Sequence, residues 1–138
     1  MLASARLQTI VLTSRLPQAE RFYRELLGLP LLGRSHGALV FGVGGSQLRV
    51  SPVPSTQPSL HTVVGFAVQD VGAVVDTLVA RGLAMERFPG FPHDERGVFV
   101  TPDGARVAWF RDPDGNLLSV VQYVREYDTS PGAPGEGA

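Results

Sequence analysis

The sequence predicts an α+β fold built from two βαβββ modules, and three observations lead there. Gln8 lies 20 residues before Gly28 and Val63 lies 19 before Gly82, so a strand, a helical stripe and a terminating glycine recur at nearly one spacing. Between the halves, residues 51–59 read SPVPSTQPS, three prolines with no periodicity, which is the chemistry of an extended linker. Near the end, residues 107–123 read VAWFRDPDGNLLSVVQY, two strand-like segments around a tight reversal. Within that reversal Pro113 presets φ, Asp and Asn side chains bond local backbone, and Gly115 tolerates a positive φ.

Residues 6–13 alternate, with Leu7, Thr9 and Val11 on one face and Gln8, Ile10 and Leu12 on the other, predicting a first strand partly buried on both sides. Ser14 is a candidate cap, Pro17 suits a first helical turn, and Ala19, Phe22, Tyr23, Leu26 and Leu27 recur at helical spacing up to Gly28. Three short strands are expected at 30–34, 38–42 and 47–51, parted by His36-Gly37 and Gly44-Gly45. The second of these turns is not a phosphate loop, because no lysine follows and no helix opens after it. In the second half, 61–68 reads as a strand, Asp70 as a cap, and Val71, Val74, Val75, Leu78 and Val79 as a helical stripe closed by Arg81-Gly82. A strand at 84–88 should precede a polar loop at 89–97, and strands at 98–101 and 106–111 should flank a Pro-Asp-Gly turn before the last strand at 117–123. The expected organisation is one domain over 1–128, with module one at 6–53, a linker at 54–60 and module two at 61–124, followed by a disordered tail at 129–138.

At 138 residues the chain suits a single core that needs no staple, and the absence of cysteine excludes disulfides, thiolate ligands and a thiol nucleophile. Twelve basic and thirteen acidic residues with no basic run leave no electrostatic footprint for nucleic acid. No stretch approaches the roughly 20 apolar residues that span a bilayer, and the opening MLASAR lacks the form of a leader, so a cytoplasmic protein with no membrane partner is expected.

A strand, Asp112-Pro113-Asp114-Gly115-Asn116 and another strand, with a helix-bearing unit upstream, resemble the vicinal oxygen chelate superfamily of glyoxalases, bleomycin-resistance proteins and extradiol dioxygenases. The resemblance implies paired βαβββ modules, each with its helix on the convex side of a sheet and a half-open cavity on the other. It implies less about chemistry, since members differ in reaction and some only bind ligands. In metal-dependent members, ligands come from early in each module's first strand and from each module's last strand. Carried onto this chain, those positions fall on Gln8, on Arg49 in Leu48-Arg49-Val50, on Val63 and on Ser119. Glutamine is a weak oxygen ligand and a guanidinium has no lone pair to give. Neither a metal nor any other cofactor is therefore expected. His61 would have to rescue a metal site, from a place two residues before Val63 and about 7 Å along the strand.

Alternation puts Gln47, Arg49 and Ser51 on one polar face of their strand, where a half-buried arginine favours an anionic or carbonyl-bearing ligand. The competing reading of Arg49 is an internal ion pair with Glu86 or Asp94. The resemblance also places Trp109 where relatives set an aromatic against the ligand, with Arg111 on the same strand face. The expected site is thus Gln8, Gln47, Arg49, Trp109, Arg111 and Ser119, binding a small organic molecule without metal. An enzymatic alternative is a lyase, isomerase or dioxygenase-like catalyst using a divalent metal or His93 from the His93-Asp94-Glu95-Arg96 loop as acid or base. A third possibility is a scaffold or regulatory domain, which the lack of an enclosed pocket would favour. The resemblance and the open edges of half-barrel sheets together predict a homodimer.

Overall fold

The computed structural model describes residues 1–125 and 127, so the tail expected at 129–138 lies outside the described residues. A single 3-10 turn at Leu2–Ser4 leads into β1 (Gln8–Thr13), after which come α1 (Leu16–Arg21), β2 (Leu31–Ser35), β3 (Ala38–Val43) and β4 (Ser46–Pro52). Module two contains β5 (Val64–Ala67), α2 (Val71–Ala80), β6 (Phe99–Val100), β7 (Arg106–Arg111) and β8 (Leu117–Gln122). The sheets have the same order, β1-β4-β3-β2 and β5-β8-β7-β6, with the first strand of each module parallel to its last and the other pairs antiparallel. Two βαβββ modules are therefore present, as the repeated spacing predicted.

Local chemistry differs from expectation at three places. Ser14 does not cap α1, because its hydroxyl and its N–H both donate to Asp114 at 2.8 Å, and Thr13 Oγ1 instead accepts from Arg15 N–H at 3.0 Å. Asp70 does cap α2, accepting from Ala73 N–H at 3.1 Å. The strand expected to open at residue 61 starts at Val64, which leaves His61 in an exposed bend with its Nδ1 2.8 Å from Ser59 Oγ. The largest difference concerns the second strand of module two, expected at 84–88. It survives as a lone bridge between Glu86 and Trp109, and pairing with β7 resumes at Phe99 and Val100 after residues 87–98 have left the sheet.

One core joins the modules through their helix-bearing sides. α1 runs into a π-helical turn at Phe22–Leu26, closed by Leu27 N–H to Phe22 carbonyl at 2.9 Å, and this turn presents two neighbouring rings inward. Phe22 lies 6.3 Å from Phe110 of β7, while Tyr23 lies 6.0 Å from Phe41 of β3, so one turn of helix fills the seam between both sheets. Val11, Leu39, Leu48 and Val50 from one sheet and Val64, Ala108, Leu118 and Val120 from the other are buried in the same cluster.

The Asp112–Asn116 turn fastens that seam. Buried Asp112 accepts from Tyr23 Oη at 2.7 Å and from Asn116 Nδ2 at 2.8 Å, and its other oxygen accepts two backbone N–H groups of its own turn. Asn116 Nδ2 also donates to the Leu12 carbonyl at 3.0 Å. Because side chains alternate along a strand, turning these faces inward leaves the opposite face of each sheet directed away from the seam.

Candidate functional site

On the first sheet that outward face is built in rows by the strand register. Gln8 pairs with Gln47, Ile10 with Arg49 and Leu12 with Ser51, while Val40 lies on the other side of Arg49. Leu32 leans over Gly42, where an added Cβ would meet its methyls at 3.4 Å. Ile10, Leu12 and Leu32 are exposed at 55%, 43% and 59%, an apolar surround for a polar centre. That centre is half-buried Arg49, whose guanidinium donates to the Ser35 carbonyl at 3.2 Å. Among the described residues it has no carboxylate partner. The two acids that could have neutralised it are engaged elsewhere: Glu86 holds Arg111 at 3.1 Å, and Asp94 accepts from Arg96 and Val98 N–H at 2.9 and 2.8 Å. Gln8 and Gln47 side chains likewise make no hydrogen bond among the described residues.

On the second sheet the same face holds a concavity of about 480 Å³ over Gly65, Ser119 and Trp109, with Thr62, Asp103 and Tyr123 around it. Ser119 stands opposite both Gly65 and Trp109 in the register. A Cβ at Gly65 would come within 3.3 Å of Ser119 Oγ, so glycine keeps the floor open there. The Ser119 hydroxyl and the Trp109 indole N–H have no partner among the described residues. The Thr101 hydroxyl donates to exposed Asp103 and holds that carboxyl below its ordinary range.

The expected site residues therefore form two groups, Gln8, Gln47 and Arg49 on one sheet and Trp109, Arg111 and Ser119 on the other. Within one chain they do not share a cavity, since the concavity over Trp109 is lined by module two alone. Arg111 is already committed, with Nε on Glu86 and a terminal nitrogen on the Gly115 carbonyl at 2.8 Å. His93 is committed too. Phe88 N–H donates to Nε2 at 3.0 Å and Nδ1 donates to the Gly97 carbonyl at 2.8 Å, so neither ring nitrogen is available as the acid or base expected of it. What the sequence reading missed is the ring cluster beside it. Phe88, Phe91 and Phe99 gather on Trp109 with centroids 5.3 to 6.3 Å away, a grouping signalled by three phenylalanines within a Pro- and Gly-rich stretch.

A sequence-family profile for the Glyoxalase/Bleomycin resistance protein/Dioxygenase superfamily matches residues 6–120. The chain belongs to this superfamily. No curated protein matches it in sequence. Solved structures share the superfamily's fold at low identity. A lactoylglutathione lyase from Agrobacterium tumefaciens has 22% identity and a TM-score of 0.66, covering 86% of this chain and 93% of its own. A glyoxalase/bleomycin resistance protein/dioxygenase from Alicyclobacillus acidocaldarius has 18% identity and a TM-score of 0.66, covering 89% and 94%. A virulence protein from Salmonella typhimurium has 20% identity and a TM-score of 0.60, covering 85% and 94%.

The divalent cation used by metal-dependent superfamily members does not fit the donors here. Gln8 and Arg49 stand on one sheet and Ser119 on the other, with Val63 just ahead of β5, offering one amide oxygen, one hydroxyl and a fixed positive charge. Among the described residues, no three His, Asp or Glu side chains converge on a point, and His61 lies outside β5. Nor is any helix among them long and apolar enough to cross a membrane.

Proposed function

We propose that this superfamily member is a metal-independent binder of a small anionic or carbonyl-bearing organic molecule, acting as a cytoplasmic homodimer. The observation that carries the reading is Arg49, a half-buried guanidinium among apolar side chains with no carboxylate to neutralise it. Removing an arginine from water is costly, and an incoming carboxylate or carbonyl restores the lost interaction through charge-assisted hydrogen bonds. Gln8 and Gln47, one row away and unbonded, supply amide donors and acceptors to orient the same group. A second copy laid with its module two over this face would cover the apolar surround and set Trp109 and Ser119 of that copy opposite Arg49.

Binding is tested by calorimetry with a panel of small carboxylic acids and aldehydes. A charge-assisted hydrogen bond is worth about 1.5–3 kcal/mol, so Arg49→Met should weaken the best ligand by about ten- to a hundredfold. If every ligand found binds Arg49→Met as tightly as the parent, Arg49 plays no part in recognition and the reading fails.

A further inference from the structure

The apolar stripe of α2 is not used up in seating the helix on its sheet. Val71 and Val75 are buried beneath it, whereas Val74 is only half-buried and, with Leu78 one turn on, lines a hollow of about 220 Å³. A second wall is Leu27 and Leu29, set either side of Gly28, whose φ of 73° turns the chain where the module-one helix ends. Phe66, Phe110 and Val120 of the second sheet complete the lining at the module seam.

This hollow is separate from the concave face. Side chains alternate along β5 and β8, so Phe66 and Val120 stand here while Gly65, Ala67, Ser119 and Val121 line the concavity on the other side of the same strands. Every lining side chain is Leu, Val or Phe, and none offers a hydrogen bond. The neighbouring backbone is engaged as well: Leu27 N–H donates to the Phe22 carbonyl at 2.9 Å, Leu29 N–H to the Tyr23 carbonyl at 3.0 Å, and Arg81 to the Leu26 carbonyl at 2.8 Å. Water needs two to four polar partners to settle, so the space favours an apolar occupant. Its size sets the scale of that occupant. A dry cavity of about 150 Å³ takes a benzene, so this one takes on the order of ten carbons. A docked protein covers about 800 Å² per partner, far more surface than so small a hollow presents.

We infer that the hollow between α2 and the end of the module-one helix is a second ligand site, taking a compact, uncharged apolar molecule such as an alkylated ring. Arg49 lies on the other sheet, so this site and the proposed anion site stand or fall separately.

Methyl NMR on the full chain, titrated with n-butylbenzene, tests the site. Saturable shifts are expected at the Leu27, Leu29, Val74 and Leu78 methyls, with Val107 and Val121 of the concavity unmoved. 1,3,5-Triisopropylbenzene is more hydrophobic but too large for the space, and should leave all of them still. Val74→Phe, with its fold checked by circular dichroism, fills the hollow and should weaken n-butylbenzene by about tenfold or more; Leu29→Phe should do the same from the other wall. No saturable shift, shifts confined to Val107 and Val121, or equal affinity for the larger molecule would overturn the site, as would unchanged affinity in both filled variants. Shifts of the four methyls on concentrating the protein without any probe would make the occupant a second copy of the chain and overturn it too.

Discussion

Asp114 shows how much one side chain in the last hairpin does for the first strand. Its carboxylate takes the Thr13 hydroxyl, the Ser14 N–H and the Ser14 hydroxyl, all from module one. Partial burial pushes its pKa up, but those hydrogen bonds outweigh it and hold the carboxyl below its ordinary value. A depressed carboxylate stabilises the fold above its unfolded pKa of about 3.9 and loses that contribution as pH falls through the lower folded value. Asp114→Asn should therefore cost about 1–2 kcal/mol at pH 7, allowing for solvent screening, and its urea midpoint should fall less steeply than the parent's between pH 5 and 2. Parallel acid profiles for the two proteins would mean that Asp114 does not fasten the seam. Tyr23 bears on the same seam from the other side, since burial drives its phenol far above the ordinary range and keeps it a donor to Asp112. Tyr23→Phe leaves a buried carboxylate oxygen short of a donor and should cost about 1.5–3 kcal/mol in urea unfolding.

Among the elements, the second strand of module two departs most from a plain repeat. Its twelve-residue excursion trades ladder pairing for ring packing, and His93 keeps the exchange in order by satisfying the Phe88 N–H and the Gly97 carbonyl together. His93→Ala should leave both without a partner, at about 1–3 kcal/mol if they stay buried. Hydrogen exchange should then show the Phe88 and Val98 amides opening faster while those of β8 are unchanged. Unaltered exchange at Phe88 would place the loop's rigidity elsewhere, in Arg87 or Arg96.

For the whole molecule, the outward faces set the question of assembly. Ile10, Leu12 and Leu32 form an exposed apolar surround on the first sheet, and β1 and β5 are both sheet edges. With a second copy closing the face, light scattering should report about 30 kDa, twice the chain's 14.8 kDa. Leu12→Asp should return the protein to one chain with its circular dichroism intact. A monomer at tens of micromolar for the parent would show that each concave face works alone, and Arg49 would then have to bind without Trp109.

By itself the sequence determined the two βαβββ modules, because alternation, helical stripes and turn residues are local signals that duplication repeats. It also determined which strand face carries Gln47 and Arg49, since side-chain period along a strand is two. Only the tertiary structure decided what those residues meet. That Arg49 has no ion pair depends on Glu86 and Asp94 finding other partners, and that His93 is spent on its own loop depends on Phe88 and Gly97 closing around it. The separation of Arg49 from Trp109 follows from which faces meet at the module seam, a choice made by Phe22, Tyr23 and the Asp112–Asn116 turn across some ninety residues of chain. No local pattern encodes contacts of that range, because they arise only when distant apolar faces bury one another.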